Sequence, residues 1–113
     1  MLSLKEQQTI RRYLAGLQNS KLSFPFGRYT SVYSVGGVAY AYLQTDKQLW
    51  RLSLRSEAEL AKLLRSKYEE VLPGQKLNPR VWNTVVLSGQ LSTDEVIALI
   101  DHSYQLALQT EPD

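Results

Sequence analysis

Between Tyr29 and Leu54 the chain runs through β-branched and aromatic residues broken by Val35-Gly36-Gly37-Val38, and that break limits the fold more than any other feature. Two glycines accept the positive φ of a type I′ or II′ turn, so the run doubles back as an antiparallel hairpin. Val35 then faces Val38, Tyr33 faces Tyr40 and Ser31 faces Tyr42. A second turn near Thr45-Asp46-Lys47 adds a third strand. Its length follows from parity, because side chains alternate between faces and a slip of one residue inverts them all. A two-residue loop sets Arg51 opposite Tyr40, whereas a three-residue loop sets Trp50, Leu52 and Leu54 beside Tyr42, Tyr40 and Val38 in one continuous apolar face. The second choice predicts an inner face of Tyr33, Val35, Val38, Tyr40, Tyr42, Trp50, Leu52 and Leu54. Arg28, Thr30, Val32, Ser34, Ala39, Ala41, Leu43, Arg51 and Ser53 fall on the outer face. An antiparallel sheet can leave such a face in water.

What covers the inner face is announced by three capping-box signatures, Ser3/Glu6, Ser56/Glu59 and Ser92/Glu95. In each, the Ser hydroxyl accepts from the third helical N–H while the Glu reaches back to the cap. The helices that follow carry apolar residues at spacings of three and four: Ile10, Tyr13, Leu14 and Leu17; then Leu60, Leu63 and Leu64; then Val96, Ile97, Ile100, Tyr104 and Ala107. After the second helix, Val71-Leu72-Pro73-Gly74 reads as a short extended piece and turn. Asn78-Pro79 reads as an N-cap and first helical position of a single turn reaching Trp82. Thr84-Val85-Val86-Leu87 is a strand ending at Ser88-Gly89. The expected fold is a single α+β domain over residues 1–113, a two-layer antiparallel sheet with helices on one face, in the order α-β-β-β-α-β-β-α.

Composition narrows the chemistry. With no cysteine, disulfides, thiolate metal sites and cysteine nucleophiles are excluded, and a reducing cytoplasm is the expected setting. Met1-Leu2-Ser3-Leu4-Lys5-Glu6 places charge where a signal peptide needs an apolar run, and no stretch is long and apolar enough for a membrane span. The net charge of +2 is unevenly spread: residues 1–56 carry +6 and the remainder −4. The basic half is suited to a polyanion, although such a separation is also common on solvated surfaces.

Pro73-Gly74-Gln75-Lys76-Leu77-Asn78, Trp82-Asn83-Thr84-Val85, Leu87-Ser88-Gly89 and Ile100-Asp101-His102-Ser103-Tyr104 together resemble the MmcQ/YjbR family of small bacterial proteins. Pro25-Phe26-Gly27, Val35-Gly36-Gly37 and Leu52-Ser53-Leu54 fall where that family has its Pro-Phe-Gly, its hairpin and its third strand, so the similarity covers about residues 24–108. The resemblance implies a secretion-chaperone-like fold of order α-β(3)-α-β(2)-α and a DNA-binding label tied to a paired-wing shape. It singles out Asn78, Trp82, Asn83 and Thr84. Where many members read His-Leu-Asn-Lys and His-Trp, this chain has Lys76-Leu77-Asn78-Pro79 and Val81-Trp82, which puts in doubt any function that needs imidazoles there.

No catalytic residue or cofactor is expected. His102 is the only histidine, and its neighbour Asp101 points about 100° away on a helix, so a structural role is the simpler reading. One histidine and no thiol make a poor metal site. Glu69/Glu70 and Asp94/Glu95 need no special purpose, the latter pair because it suits a helix N-terminus. Trp82 reads first as a core anchor and Asn78 as a cap; functionally, the Trp82 loop with Lys76 and Arg80 forms a polar rim. Arg28, Lys47, Arg51 and Arg55 on the sheet margin, joined by Lys76 and Arg80, are the candidates for neutralising phosphates in weak, non-specific, salt-sensitive binding to DNA. With the tyrosines turned inward, an aromatic platform for single strands is disfavoured. The competing expectation is a homodimer or protein partner docked on Val32, Ala39, Ala41 and Leu43.

Overall fold

The Gly36-Gly37 turn forms as read: both residues have positive φ, +57° and +79°, the signature of a type I′ turn, and Val35 pairs with Val38. In the computed structural model, which describes residues 2–74 and 76–112, this hairpin joins β2 (Thr30–Val35) to β3 (Val38–Gln44). It is part of a six-stranded antiparallel sheet with β1 (Lys21–Ser23), β4 (Arg51–Arg55), β5 (Val71–Pro73) and β6 (Trp82–Val86), in the order β1-β2-β3-β4-β6-β5. Three helices, α1 (Leu4–Gly16), α2 (Ala58–Lys67) and α3 (Thr93–Leu108), complete an α+β fold. The element order is the expected one with a single addition. β1 is a three-residue edge strand, too short and too polar in Lys21-Leu22-Ser23 to show a periodicity.

Two of the three capping boxes form. Ser3 and Ser92 accept from the N–H groups of Glu6 and Glu95, and each Glu side chain returns to the cap. The expected box at Ser56/Glu59 does not: α2 is capped at Glu57, and the Ser56 hydroxyl donates instead to the Glu57 carbonyl. The Ser56 N–H is taken by the Val81 carbonyl, which draws this residue toward β6 and away from a capping position.

The expected strand register holds only next to the turn. Ser34 still faces Ala39, but Tyr33 faces Ala41 and Ser31 faces Leu43, because a β-bulge leaves Tyr40 as an extra residue in β3. Every side chain beyond Tyr40 therefore changes face. Ala41 and Leu43, expected outside, are fully buried beneath the helices, and Tyr42, expected inside, lies outside opposite Ser53. β4 pairs Leu54 with Ala41, Leu52 with Leu43 and Arg51 with Gln44, so the β3–β4 connection runs through residues 45–50 in place of a three-residue loop. Leu52 and Leu54 still face inward and Arg51 outward, as the alternation within β4 requires.

Ser103 on α3 holds the bulge in place. Its hydroxyl donates to the Tyr40 carbonyl at 2.6 Å and accepts from the Arg55 N–H at 3.0 Å. These are a β3 acceptor and a β4 donor that the bulge has pulled out of the ladder, and buried backbone groups of this kind need partners. The Tyr40 ring turns under the helices, where its hydroxyl donates to the Leu14 carbonyl of α1 and pairs with Ser20 Oγ. Tyr40 also meets Tyr104 edge to face at 5.4 Å. Around it the core gathers Ile10, Leu14, Tyr33, Leu43, Leu52, Val96 and Ile100. Trp50, just ahead of β4, is buried as expected, with its N–H donated to Gln7 Oε1 and the Arg11 guanidinium over its ring. α2 is the loosest helix: it buries only Ala61, and Leu63 of its expected stripe points to solvent.

Candidate functional site

The face of the sheet away from the helices mixes polar and apolar side chains, and the docking patch expected on Val32, Ala39, Ala41 and Leu43 does not form there because Ala41 and Leu43 are turned inward. Tyr42, Ser53, Thr84 and Leu72 line up across β3, β4, β6 and β5. They form the floor of a cleft of about 800 Å³. Ser53 and Thr84 are 6% exposed although no helix covers them. Their hydroxyls bond to each other at 2.8 Å, so each is satisfied without water and the floor is held as a polar pair. Tyr42 stands beside them with its ring edge-on to Trp82 at 5.4 Å, a contact that fixes the ring plane. Partial burial pushes the Tyr42 hydroxyl above the usual phenol range, so it stays protonated at neutral pH.

Loops on either side raise the walls. Phe26, carried on the Pro25-Phe26-Gly27 turn before β2, lines the cleft while remaining 71% exposed. Pro73, Lys76 and Leu77 line it from the β5–β6 connection. Lys76 sits at φ +61°, a left-handed conformation that costs a residue with a Cβ about 1 kcal/mol or more. At the foot of the same connection Gly74 donates its N–H to the Trp82 carbonyl, and a Cβ there would lie 2.9 Å from Trp82 Cβ, so only glycine fits.

Of the six cations expected to meet phosphate, the cleft unites three: Lys47 from the β3–β4 loop, Arg51 from β4 and Lys76 from the β5–β6 loop. None of the three makes a salt bridge or a side-chain hydrogen bond among the described residues. Among the described residues Asp46 is the one carboxylate in the lining. The other three stand elsewhere. Arg28 lies over the Tyr29 ring and donates to its hydroxyl. Arg55 pairs with Trp82 at the far end of β4, and Arg80 is exposed in the turn before β6.

The motif residues divide in the same way. Asn78 caps the turn by accepting the Arg80 N–H on its side chain and the Val81 and Trp82 N–H groups on its carbonyl. Trp82 is a buried anchor behind Tyr42. Asn83 faces the helices, where it donates to the Ala61 carbonyl and accepts from Arg65. Only Thr84 reaches the cleft. The residues that sequence reasoning missed are Tyr42, hidden by the bulge, and Phe26, whose exposure no periodicity marks. Arg65 was missed as well; it ties α2 to the loop through the Pro79 carbonyl and Asn83.

His102 is spoken for. Its Nε2 lies 2.7 Å from Glu57 Oε1, tying α3 to the cap of α2, and that hydrogen bond holds the Glu57 carboxyl below the usual carboxylate range. Among the described residues no three His, Cys, Asp or Glu side chains come together as a metal site, and no helix is long and apolar enough to cross a membrane.

The element order and sheet topology define a small α+β domain. The family model YjbR matches residues 15–106, and the chain belongs to that family. It is 35% identical over 79 residues to YjbR of Escherichia coli strain K12, a protein described as uncharacterized, covering 70% of this chain and 67% of that one. A crystal structure of a Deinococcus radiodurans protein of the domain family DUF419 superposes with a TM-score of 0.85 at 29% identity, over 92% of this chain and 79% of that one. A Pseudomonas syringae protein superposes with a TM-score of 0.74 at 28% identity, over 89% of this chain and 97% of that one.

Proposed function

We propose that this chain is a non-enzymatic, cytoplasmic protein that binds nucleic acid through the sheet cleft, with Lys47, Arg51 and Lys76 as its phosphate contacts. The observation that carries the reading is the meeting of two chain segments, the β3–β4 connection with Lys47 and Arg51 and the β5–β6 connection with Lys76, on the side of the sheet away from the helices. Cations that were merely solvating the surface would have no reason to collect around one concavity, and concave walls of low dielectric strengthen the field they make together. The lone histidine held by Glu57 supports a non-enzymatic role, and the absence of cysteine supports a reducing compartment.

Three phosphate contacts make binding weak and salt-dependent, with log K falling against log salt at a slope of about −2 to −3. The test is fluorescence anisotropy with labelled DNA over a range of salt. Arg51→Glu is expected to abolish binding at moderate salt while leaving the melting temperature unchanged, since Arg51 is surface-facing and unpaired among the described residues. Retention of wild-type affinity by that variant, or a slope near zero, defeats the reading.

A further inference from the structure

We infer that the cleft receives an unpaired nucleotide of a single strand, with a base against Phe26 and Tyr42 and its flanking phosphates on Lys47, Arg51 and Lys76. The inference rests on the nucleic-acid reading and specifies its ligand.

The cleft combines two kinds of wall that a duplex cannot use together. A duplex keeps its bases stacked inside and offers a protein phosphates, sugars and groove edges. Against such a ligand Phe26 would lie exposed to no purpose, and the Tyr42 ring would meet only sugar and phosphate. Proteins that hold single strands pair a cationic track with aromatic faces, because every unpaired base has a π-surface to stack. Both elements are present on one concave surface here.

Size and preorganisation agree. At about 800 Å³ the open cleft is comparable in size to sites of roughly 300–1,000 Å³ that receive one small organic ligand. Tyr42 is already braced by Trp82, so little rotamer freedom is lost when a base arrives. Ser53 and Thr84, both more than nine-tenths buried at the floor, each keep acceptor capacity beyond the bond they make to each other.

Anisotropy titrations at one low salt concentration would compare a short oligothymidine, a duplex of the same length and an abasic deoxyribose-phosphate strand. Oligothymidine is expected to bind about tenfold more tightly than the abasic strand, the usual scale of one stacked base, and more tightly than the duplex. Phe26→Ala, at a position 71% exposed and so harmless to folding, is expected to erase that preference while leaving abasic-strand binding unchanged. Equal affinity for thymidine and abasic strands, a preference for the duplex, or an unaffected Phe26→Ala variant overturns the inference and leaves the phosphate reading standing. Failure of all three probes to bind removes both.

Discussion

The two faces of the sheet reach similar burial by opposite means. Leu52 and Ser53 are adjacent on β4, 0% and 6% exposed, yet one is enclosed by helices and the other by a rim of loops. On the helix side, burial comes from apolar side chains of α1 and α3 packed on strand side chains. On the cleft side it comes from hydroxyls that satisfy one another, Ser53 with Thr84, beneath a concavity left open. The difference teaches that a sheet centre can reach core-like burial without apolar side chains when its hydroxyls bond one another.

The comparison breaks most sharply at Leu52. Leu52→Ala should cost about 2–5 kcal/mol in urea unfolding, by loss of transfer energy and a residual cavity. Its neighbour Ser53→Ala should cost only about 1–2 kcal/mol, the price of leaving the Thr84 hydroxyl unpaired. Equal losses would mean that the cleft floor is packed as tightly as the core. Ser103→Ala removes the partner of the Tyr40 carbonyl and the Arg55 N–H, and about 2–3 kcal/mol is expected, with faster amide exchange at Arg55. No change in that exchange would show that the bulge stands without α3.

The smallest effect concerns neither face but the brace between α2 and α3. Because the His102 contact lowers the Glu57 pKa in the folded state, the stabilisation it brings is complete above the unfolded carboxyl value and disappears as pH falls through the lower folded one. An NMR titration of the Glu57 carboxyl should give a midpoint below that of an ordinary glutamate, raised toward it by His102→Ala. A midpoint that ignores His102→Ala would show that the contact is not maintained in solution.

Much of this was legible in the residues themselves. The hairpin at Gly36-Gly37, the boxes at Ser3 and Ser92 and the outward Arg51 each follow from a local rule, and all formed. The failures share a cause: they depend on partners distant in sequence. Ser56 loses its capping role because Val81 claims its N–H, and Tyr40 bulges where Ser103 of α3 can take the freed backbone groups. Strict alternation of Tyr33, Tyr40 and Tyr42 offered an attractive aromatic inner face, and nothing within that hairpin betrays the extra residue. The cleft was only half visible for the same reason. Lys47, Arg51 and Lys76 could be named from charge, whereas Tyr42 could be placed only once the bulge was known.

The bulge that the serine on α3 bridges reaches beyond the two strands it joins. The one surplus residue in β3 sends Tyr40 into the hydrophobic interior and Tyr42 to the opposite side. A strand without that surplus would send Tyr42 inward and leave alanine in its place over Ser53. The side of the sheet on which an aromatic ring stands is thus set by a single irregularity whose freed backbone groups are bonded by a hydroxyl on the other side.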